Sequence, residues 1–278
     1  KEQIDDFTKL NVDFENFDLD IRTSDDDHYY MEYKLEKNGR KNPLTWKDKD
    51  GELTLEESAG GSGSYYITYD LGIFSTHADL TEKKDALNTV VLYIPEKAQL
   101  SEAELQLSDG DLAADQLLCK EMTLELLNGD LMLDKGEFEK FDAKLSDGDL
   151  NVKELQCTDN MQLKSGNGDV TIKKAELADG QIALSDGDIQ IDNSSFNGDM
   201  KINSSCGDVS VEMKNGSAEK TNIYLKAADG DVDTEGLSRG KTDNEEDTSV
   251  YENKAGASAP TLNVKCSDGD ITLTESEK

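Results

Sequence analysis

Short runs of alternating apolar and polar residues recur along most of the chain. In the unit 168–186, Val170 and Ile172 form one such run, and Ile182 and Leu184 form a second. The units on either side of it repeat this arrangement, whereas the i, i+3, i+4, i+7 spacing of an amphipathic helix is not sustained anywhere. Because alternation with a period of two residues is typical of a half-buried strand, the pattern predicts an all-β protein.

The strand pairs belong to a repeat whose clearest mark is a Gly-Asp-aliphatic triplet. Successive triplet glycines are 19, 19, 20, 19, 20, 23 and 39 residues apart. A repeat of this length with two short strands matches one coil of a solenoid. We therefore predict a single-stranded β-helix or β-solenoid with coils of 19–20 residues, taken to be right-handed. The triplet glycines are Gly110, Gly129, Gly148, Gly168, Gly187, Gly207, Gly230 and Gly269.

Stacked coils place equivalent residues above one another at the strand spacing of ~4.8 Å. The aliphatic residue of each triplet should then contact its equivalents inside the core. This predicted ladder comprises Leu112, Leu131, Leu150, Val170, Ile189, Val209, Val232 and Ile271.

We interpret each triplet glycine as a structural corner, where the chain turns to begin the next strand. Glycine adopts positive φ without the steric cost that an L-residue incurs. The Asp or Asn before it can hydrogen-bond the backbone two residues on, and the Asp after it can accept amide hydrogen bonds.

The stacked aspartates also raise the alternative of a cation ladder, because a divalent ion would relieve repulsion between carboxylates ~5 Å apart. The calcium-binding β-roll, however, has a nine-residue period with ligands in both turns of each coil. Here only Gly198-Asp199 provides a Gly-Asp pair in a second turn. The sequence thus favours structural corners, and we predict no metal site and no cofactor. The alternative ladder would consist of Asp111, Asp130, Asp149, Asp169, Asp188 and Asp208.

Two parts of the chain depart from the strict repeat. Residues 1–100 contain strand patterns without the period, and "DGELTL" (50–55) resembles a degenerate corner. We expect this region to form irregular β-coils that cap the solenoid and continue into it. The regular solenoid should then occupy 101–278, with an exposed insertion at 235–260, whose polar, glycine-containing composition breaks the period.

An aromatic segment, "SYYITYDLG" (64–72), follows a Gly/Ser stretch. Tyr65 and Tyr69 share one face of the predicted strand, and Tyr66 points to the other. These rings could contact a sugar ligand, although the pattern favours a strand core with one exposed tyrosine.

Charge restricts the partners. The 61 acidic residues against 29 basic ones give a net charge of −32, which repels nucleic acid and anionic membranes. No run of 18 apolar residues exists, so we expect no direct membrane insertion by this sequence. The four cysteines form no CxxC pair and suit small buried positions. With only His28 and His77 as histidines, and no Ser-His-Asp, Cys-His or metal-ligand spacing, we predict no catalytic residues and no enzymatic activity.

The repeated corners, the strand "LYIP" before them and the closing "SDGDITL" resemble the bacterial DUF4097 family, which is labelled a putative adhesin and has a toast-rack-like coiled β-stack. The resemblance covers residues 10–275, and the strong acidity and the 235–260 segment depart from it. It implies an extracytoplasmic, cell-surface location and an N-terminal membrane anchor, which we expect to precede Lys1. It carries over no site residues.

These observations favour a non-enzymatic binding or adhesion module with a strongly acidic surface. A neutral cell-wall glycan or a basic protein would suit the negative field. The alternative is an extracytoplasmic sensory or structural ectodomain that acts through a membrane protein in an envelope-stress response.

Overall fold

The computed structural model describes residues 1–38, 43–57, 64–66, 88–234, 237, 240–245 and 248–277. The described structure includes a 3-10 turn at Ala218–Lys220. Its strands are β1 (Glu2–Ile4), β2 (Lys9–Phe14), β3 (Asp18–Ser24), β4 (Tyr29–Lys34), β5 (Glu36–Asn38), β6 (Leu44–Lys49), β7 (Glu52–Glu57), β8 (Ser64–Tyr66), β9 (Thr89–Pro95), β10 (Leu100–Leu107), β11 (Leu112–Asn128), β12 (Leu131–Asp147), β13 (Leu150–Asn167), β14 (Val170–Lys173), β15 (Ala175–Asp186), β16 (Ile189–Phe196), β17 (Met200–Cys206), β18 (Val209–Met213), β19 (Asn222–Asp229), β20 (Val232–Asp233), β21 (Lys241–Glu245), β22 (Thr248–Asn253), β23 (Thr261–Asp268) and β24 (Ile271–Glu275).

The strands form a stack of parallel β-coils, which confirms the predicted solenoid. Leu131 lies opposite Leu112 on one side and Leu150 on the other, and Leu150 in turn lies opposite Val170. The ladder continues through Ile189. Within the described residues, twenty-two strands belong to one continuous sheet that winds around this core.

The aliphatic ladder lies inside the coil, where it excludes water along the whole stack. Leu150 and Val170 are each 1% exposed, and Ile172 is fully buried. Phe138 and Phe141 stack with their ring centroids 4.9 Å apart and fill the wider part of one coil. Since each buried aliphatic side chain removes apolar surface from water, this shared core is what holds successive coils together.

The first coil of the chain lies inside the stack and not at its end. β2 pairs in parallel with β10 on one side and with β7 on the other. β3 similarly lies between β11 and β9. Strands that come later in the sequence therefore cover the outer edge of the first coil.

The last coil of the chain is also internal. β23 pairs with β17 on one side and with β19 on the other, and β24 lies between β18 and β20. The order of coils in space therefore differs from their order in the sequence: the coil that begins at Asn222 is outermost, and the chain returns to insert its final coil beneath it.

Antiparallel strands cover both ends of the stack. At one end, β6 pairs with β7, and β4 pairs with β9 and β1. At the other end, β22 pairs with β19, and β21 pairs with β22. Such a cover protects an edge that would otherwise template pairing with another chain.

The stretch "DGELTL" differs from the expected degenerate corner. Asp50 and Gly51 have φ values of 58° and 79° and connect the antiparallel strands β6 and β7. Positive φ at both central residues is typical of a two-residue type I′ hairpin turn. The interpretation as a corner was wrong because the same Asp-Gly pair serves both kinds of turn.

Much of the 235–260 segment, which we expected to be an exposed insertion, is described by the structure. It contains β21 and β22, and Tyr251 is only 3% exposed. The alternation of Ser249, Tyr251 and Asn253 turns these side chains inward, and β22 pairs with β19 of the outermost coil.

Candidate functional site

The eight triplet glycines form one column of corners along the stack. A Cβ atom on Gly148 would overlap the carbonyl oxygen of Gly129, and one on Gly129 would overlap that of Gly110. Gly148 also has a φ of +138°, a conformation that L-residues rarely adopt. At Gly110 and Gly129 the close backbone approach alone requires glycine.

The aspartates after these glycines form a continuous hydrogen-bonded column. The backbone N–H of Asp130 donates to Oδ1 of Asp111 at 2.9 Å, and that of Asp149 donates to Oδ1 of Asp130 at 2.9 Å. The same bond joins each later pair at 2.8–2.9 Å, including Asp270 on Asp208 and Asp231 on Asp270. These carboxylates therefore accept charge-assisted bonds from the backbone.

This column bears on the alternative cation ladder at Asp111, Asp130, Asp149, Asp169, Asp188 and Asp208. One oxygen of each carboxylate is already bonded to the next corner or coil. Over the described ranges, no group of three or more His, Cys, Asp or Glu side chains has an arrangement that could hold a metal ion. The hydrogen bonds give one oxygen of each repeated Asp a structural role.

Two of the Asn residues that precede corner glycines bond between coils. Nδ2 of Asn128 donates to Oδ1 of Asp109 at 2.7 Å, and Nδ2 of Asn167 donates to Oδ1 of Asp147 at 2.6 Å. Alternating an amide with a carboxylate thus replaces repulsion by a hydrogen bond at these two steps.

Lysines on one side of the solenoid pair with carboxylates of other coils. Nζ of Lys174 lies 2.9 Å from Oε1 of Glu154 on the adjacent coil, and Nζ of Lys214 lies 2.6 Å from Oε1 of Glu176, two coils away. Both pairs are largely exposed, so each contributes only about 0–1 kcal/mol to stability.

A different side of the stack presents a face without carboxylates, which we call the lysine face. Five parallel strands form it in the order β13, β15, β17, β23 and β19. Its side chains are the outward residues four and six positions before five of the corner glycines. They are Gln162, Lys164, Gln181, Ala183, Lys201, Asn203, Asn263, Lys265, Tyr224 and Lys226.

The four lysines of this face have no carboxylate partner. Lys164, Lys201 and Lys265 are exposed and Lys226 is partly buried, and none forms an ion pair with any residue that the structure describes. Lys226 lies directly opposite Lys265 on the neighbouring strand. In an acidic protein, this face is a local concentration of positive charge.

An open cavity of about 440 Å³ borders the lysine face at Tyr224. Asn222 shapes its floor, because its Nδ2 donates to the carbonyl oxygens of Gly256 and Ala259 at 2.9 and 3.0 Å. Its other lining residues are Ile223, Glu252, Asn253, Lys254, Ala257 and Thr261. Its accessible lining is mostly apolar, so it suits an apolar part of a ligand that lies along the face.

Two partly buried polar pairs lie on the N-terminal strands β3, β4 and β9. Arg22 donates to Oδ2 of Asp20 from Nε at 2.9 Å. Burial raises the pKa of Asp20, although the Arg22 guanidinium opposes this shift. Burial also raises the pKa of Tyr93 to about 12, and the nearby Glu32 adds to this. Arg22 and Asp20 both lie on β3, and the hydroxyl of Tyr93 on β9 donates to Oε2 of Glu32 on β4 at 3.3 Å. Because each group is bonded within the fold, we assign both pairs a structural role.

The tyrosines proposed as ligand contacts lie elsewhere. Tyr65 and Tyr66 belong to β8, which pairs with β5 in a separate two-stranded sheet. Tyr69 lies outside the described residues, as does His77. His28 is exposed, and its Nδ1 is 3.5 Å from Oδ1 of Asp26. The possible sugar contact through these tyrosines stays a prediction.

Sequence reasoning missed the lysine face. Its signal was available as Gln, Asn, Lys or Tyr at fixed positions before the corners. Two of its strands, β23 and β19, are adjacent only because the last coil is internal. Along the sequence, which does not show the order of the coils in space, the lysines appear scattered among many acidic residues.

No helix among the described residues has the length and apolar character needed to cross a membrane. The comparison with curated proteins finds no match.

Two solved structures are similar to this chain. One is a putative adhesin from Parabacteroides merdae, 14% identical, covering 99% of this chain and 94% of that one with a TM-score of 0.58. The other is a putative cell adhesion protein from Clostridium sporogenes, 18% identical, covering 98% and 93% with a TM-score of 0.23. The first shows a shared fold. The model of the Toastrack DUF4097 family matches residues 7–274, and the chain therefore belongs to that family.

Proposed function

We propose that this protein is a non-enzymatic cell-surface binding module whose lysine face binds a polymer outside the cytoplasm. The observation that carries this proposal is the face itself. Five neighbouring strands present polar and cationic side chains outward in two regular rows, four and six residues before the corner glycines, and these two rows contain no carboxylate. A solenoid supplies such an extended, repeating surface because its core is already complete inside the coil.

The known relatives support the class of function. The similar solved protein from Parabacteroides merdae is described as a putative adhesin. A shared fold does not by itself determine function, so the argument depends on the face and takes the relative's name as support only.

Of the two partner classes that the sequence favours, the face suits a cell-wall glycan better than a basic protein. Amides such as Gln181 and Asn263 can both donate to and accept from sugar hydroxyls. A basic protein would instead be drawn to the aspartate column, whose carboxylates already accept backbone hydrogen bonds.

The positions of the two side chains whose pKa burial raises to about 12 agree with the non-enzymatic class. Tyr93, whose pKa burial raises to about 12, is part of the N-terminal cap, and Cys119, whose pKa burial also raises to about 12, lies in the core. Neither group belongs to the lysine face or to the cavity beside it.

The proposal is tested by depletion of the intact protein from solution by purified, insoluble cell-wall material, together with an array of neutral and anionic glycans. An unrelated protein of similar net charge serves as the control. We expect the wall material and at least one glycan class to retain the protein but not the control. Capture by a defined membrane protein, without glycan binding, would contradict the proposal and support the sensory or structural alternative.

A further inference from the structure

We infer that the lysine face binds a linear anionic glycan, whose carboxylate or phosphodiester groups pair with Lys164, Lys201, Lys226 and Lys265. This inference rests on the proposed function and adds the chemical class of the ligand. Nothing in the negative net charge of the whole chain suggests such a ligand, so the argument depends on local geometry.

The first step is the arrangement of the lysines. Lys226 and Lys265 are opposite each other in register, and Lys201 is displaced from Lys265 by one strand and two residues. Like charges at such positions repel one another and destabilise a sheet. A ligand that supplies negative charge between these three side chains would remove the repulsion.

The second step is the contrast with lysines that the fold does neutralise. Lys144, on the strand beside the face, lies 2.6 Å from Oε1 of Glu125 of the preceding coil. Its neighbour in register, Lys164, is already on the face and has no carboxylate within ion-pair distance among the described residues. The chain has 61 acidic residues, yet on the next four strands the two outward rows four and six residues before the corner glycines contain none. The nearest carboxylates of these strands on the corner side, Asp186, Asp229 and Asp268, lie three residues beyond the row that contains Lys164. The positive charge of these lysines is therefore available to pair with an external anionic group.

The third step is the repeat. Strands ~4.8 Å apart place a lysine on the first, third, fourth and fifth strands of the face. A polymer that runs along the stack, across the strands, would meet an ammonium group at most steps. Lysine suits this role because its flexible, point-like charge does not demand one fixed geometry. Asn263 and Tyr224, in the adjacent row, offer hydrogen bonds and a ring surface to the sugars.

The acidic remainder of the protein does not prevent this binding at physiological salt. The Debye length at 0.15 M is ≈ 8 Å. The charges of exposed carboxylates such as Asp229 and Asp268, three residues from Lys226 and Lys265, are then partly screened, whereas a contact ion pair with lysine is screened much less.

The experiment uses the full chain and two triple variants that remove the same charge. The face variant carries Lys201→Gln, Lys226→Gln and Lys265→Gln. The control variant carries Lys47→Gln, Lys97→Gln and Lys173→Gln, three exposed lysines off the face that form no ion pair with described residues. Thermal unfolding of both variants should match the wild type, since all six side chains are at least partly in solvent.

Binding is measured at 0.15 M salt to polygalacturonate, to poly(glycerol phosphate), to a neutral glucan and to single-stranded DNA. We expect the face variant to lose about ten-fold in affinity for the anionic polymers, from three surface ion pairs, and the control variant to bind as the wild type does. Binding of polygalacturonate alone or of poly(glycerol phosphate) alone identifies the carboxylate or the phosphodiester as the natural group.

Several results would overturn the inference. They are equal binding by the face variant, wild-type binding of the neutral glucan but of neither anionic polymer, and tighter binding of DNA than of either polymer. Another is face-dependent self-association without glycan binding in sedimentation, which would make a second copy the occupant. In the first two cases retained glycan binding leaves the proposed function standing, whereas binding to no glycan at all removes both.

Discussion

At the residue scale, each corner glycine lies against the carbonyl oxygen of the neighbouring corner in the stack. At every corner, replacing the glycine makes a Cβ overlap a backbone that cannot move alone, and at corners such as Gly148 the positive φ adds a second cost. The overlap follows from the stacking, because the overlapping atom belongs to a different coil.

We expect Gly148→Ala to lower the free energy of unfolding by roughly 2–5 kcal/mol, combining a φ penalty with overpacking. Gly216→Ala is the matched control, since Gly216 has a φ of +74° but nothing within 4 Å of the added Cβ. It should cost only about 1–2 kcal/mol. Urea denaturation measures both, and equal costs would show that the corner is not sterically closed.

Leu150→Ala should lower the free energy of unfolding by about 2–5 kcal/mol, because it leaves a cavity in the aliphatic ladder. Leu150 is 1% exposed and contacts the equivalents Leu131 and Val170. The neighbouring Asn151 is exposed, so Asn151→Ala should have little effect. A thermal midpoint that Leu150→Ala leaves unchanged would place this side chain outside the core.

The cysteines provide a prediction about reactivity. Burial raises the pKa of the Cys119 thiol to about 12 and also raises those of Cys157 and Cys266, whereas Cys206 is exposed. Since the thiolate is the reactive form, a thiol reagent at pH 8 should label Cys206 rapidly and the other three only after unfolding. Peptide mass spectrometry of labelled native protein checks this, with Cys206→Ser as the control. Rapid labelling of Cys119 would contradict the packing.

At the scale of the element, the most consequential feature is the insertion of both terminal coils into the stack. β23 has a parallel neighbour on each side, and β19 depends on it for its own attachment. A terminal coil in this position gains two ladders of hydrogen bonds where an outermost coil would have one. The exposed edge passes to β19, which β22 then covers.

Removal of residues 261–278 should release the segment 214–260, because β17 and β18 lose one neighbour and β19 loses the strand that joins it to the stack. Limited proteolysis should then cleave this segment while the coils before residue 200 stay protected. Removal of 277–278 alone, beyond β24, is the control. If β19 stayed protected from proteolysis after removal of residues 261–278, the segment 214–260 would have to be held to the stack by other contacts.

At the scale of the whole molecule, the net charge of −32 opposes compaction. Ion pairs between coils and hydrogen bonds to the aspartates offset the repulsion between nearby charges, but long-range repulsion persists. Charge is also segregated: the aspartates form columns at the corners, and the lysine face lies between turns.

We expect thermal stability to rise between about 0.01 and 0.15 M ionic strength, as the Debye length falls from ~30 to ~8 Å. Sodium and calcium salts should act equally at matched ionic strength, because the aspartates already accept backbone hydrogen bonds. Differential scanning calorimetry checks this. Preferential stabilisation by calcium at sub-millimolar concentration would instead favour the cation ladder.

Local pattern alone was sufficient for the coil, its length and its core. The period of the glycines and the alternation of residues such as Val170 and Ile172 predict the strands and their inward faces. Each coil repeats the same pattern of strands and glycine corner, so the evidence for a coil accumulates along the chain. "DGELTL" misled because Asp-Gly is favoured equally in a hairpin and in a corner.

The sequence by itself determined that this chain forms stacked β-coils with glycine corners and an aliphatic core. Only the tertiary structure decided which coils are neighbours, and hence that β17, β23 and β19 assemble the C-terminal part of the lysine face. The reason is physical: every coil presents the same ladder of apolar residues and backbone groups to either side, so local pattern permits many orders. The order chosen is the one in which both terminal coils are internal and antiparallel strands cover the outer edges.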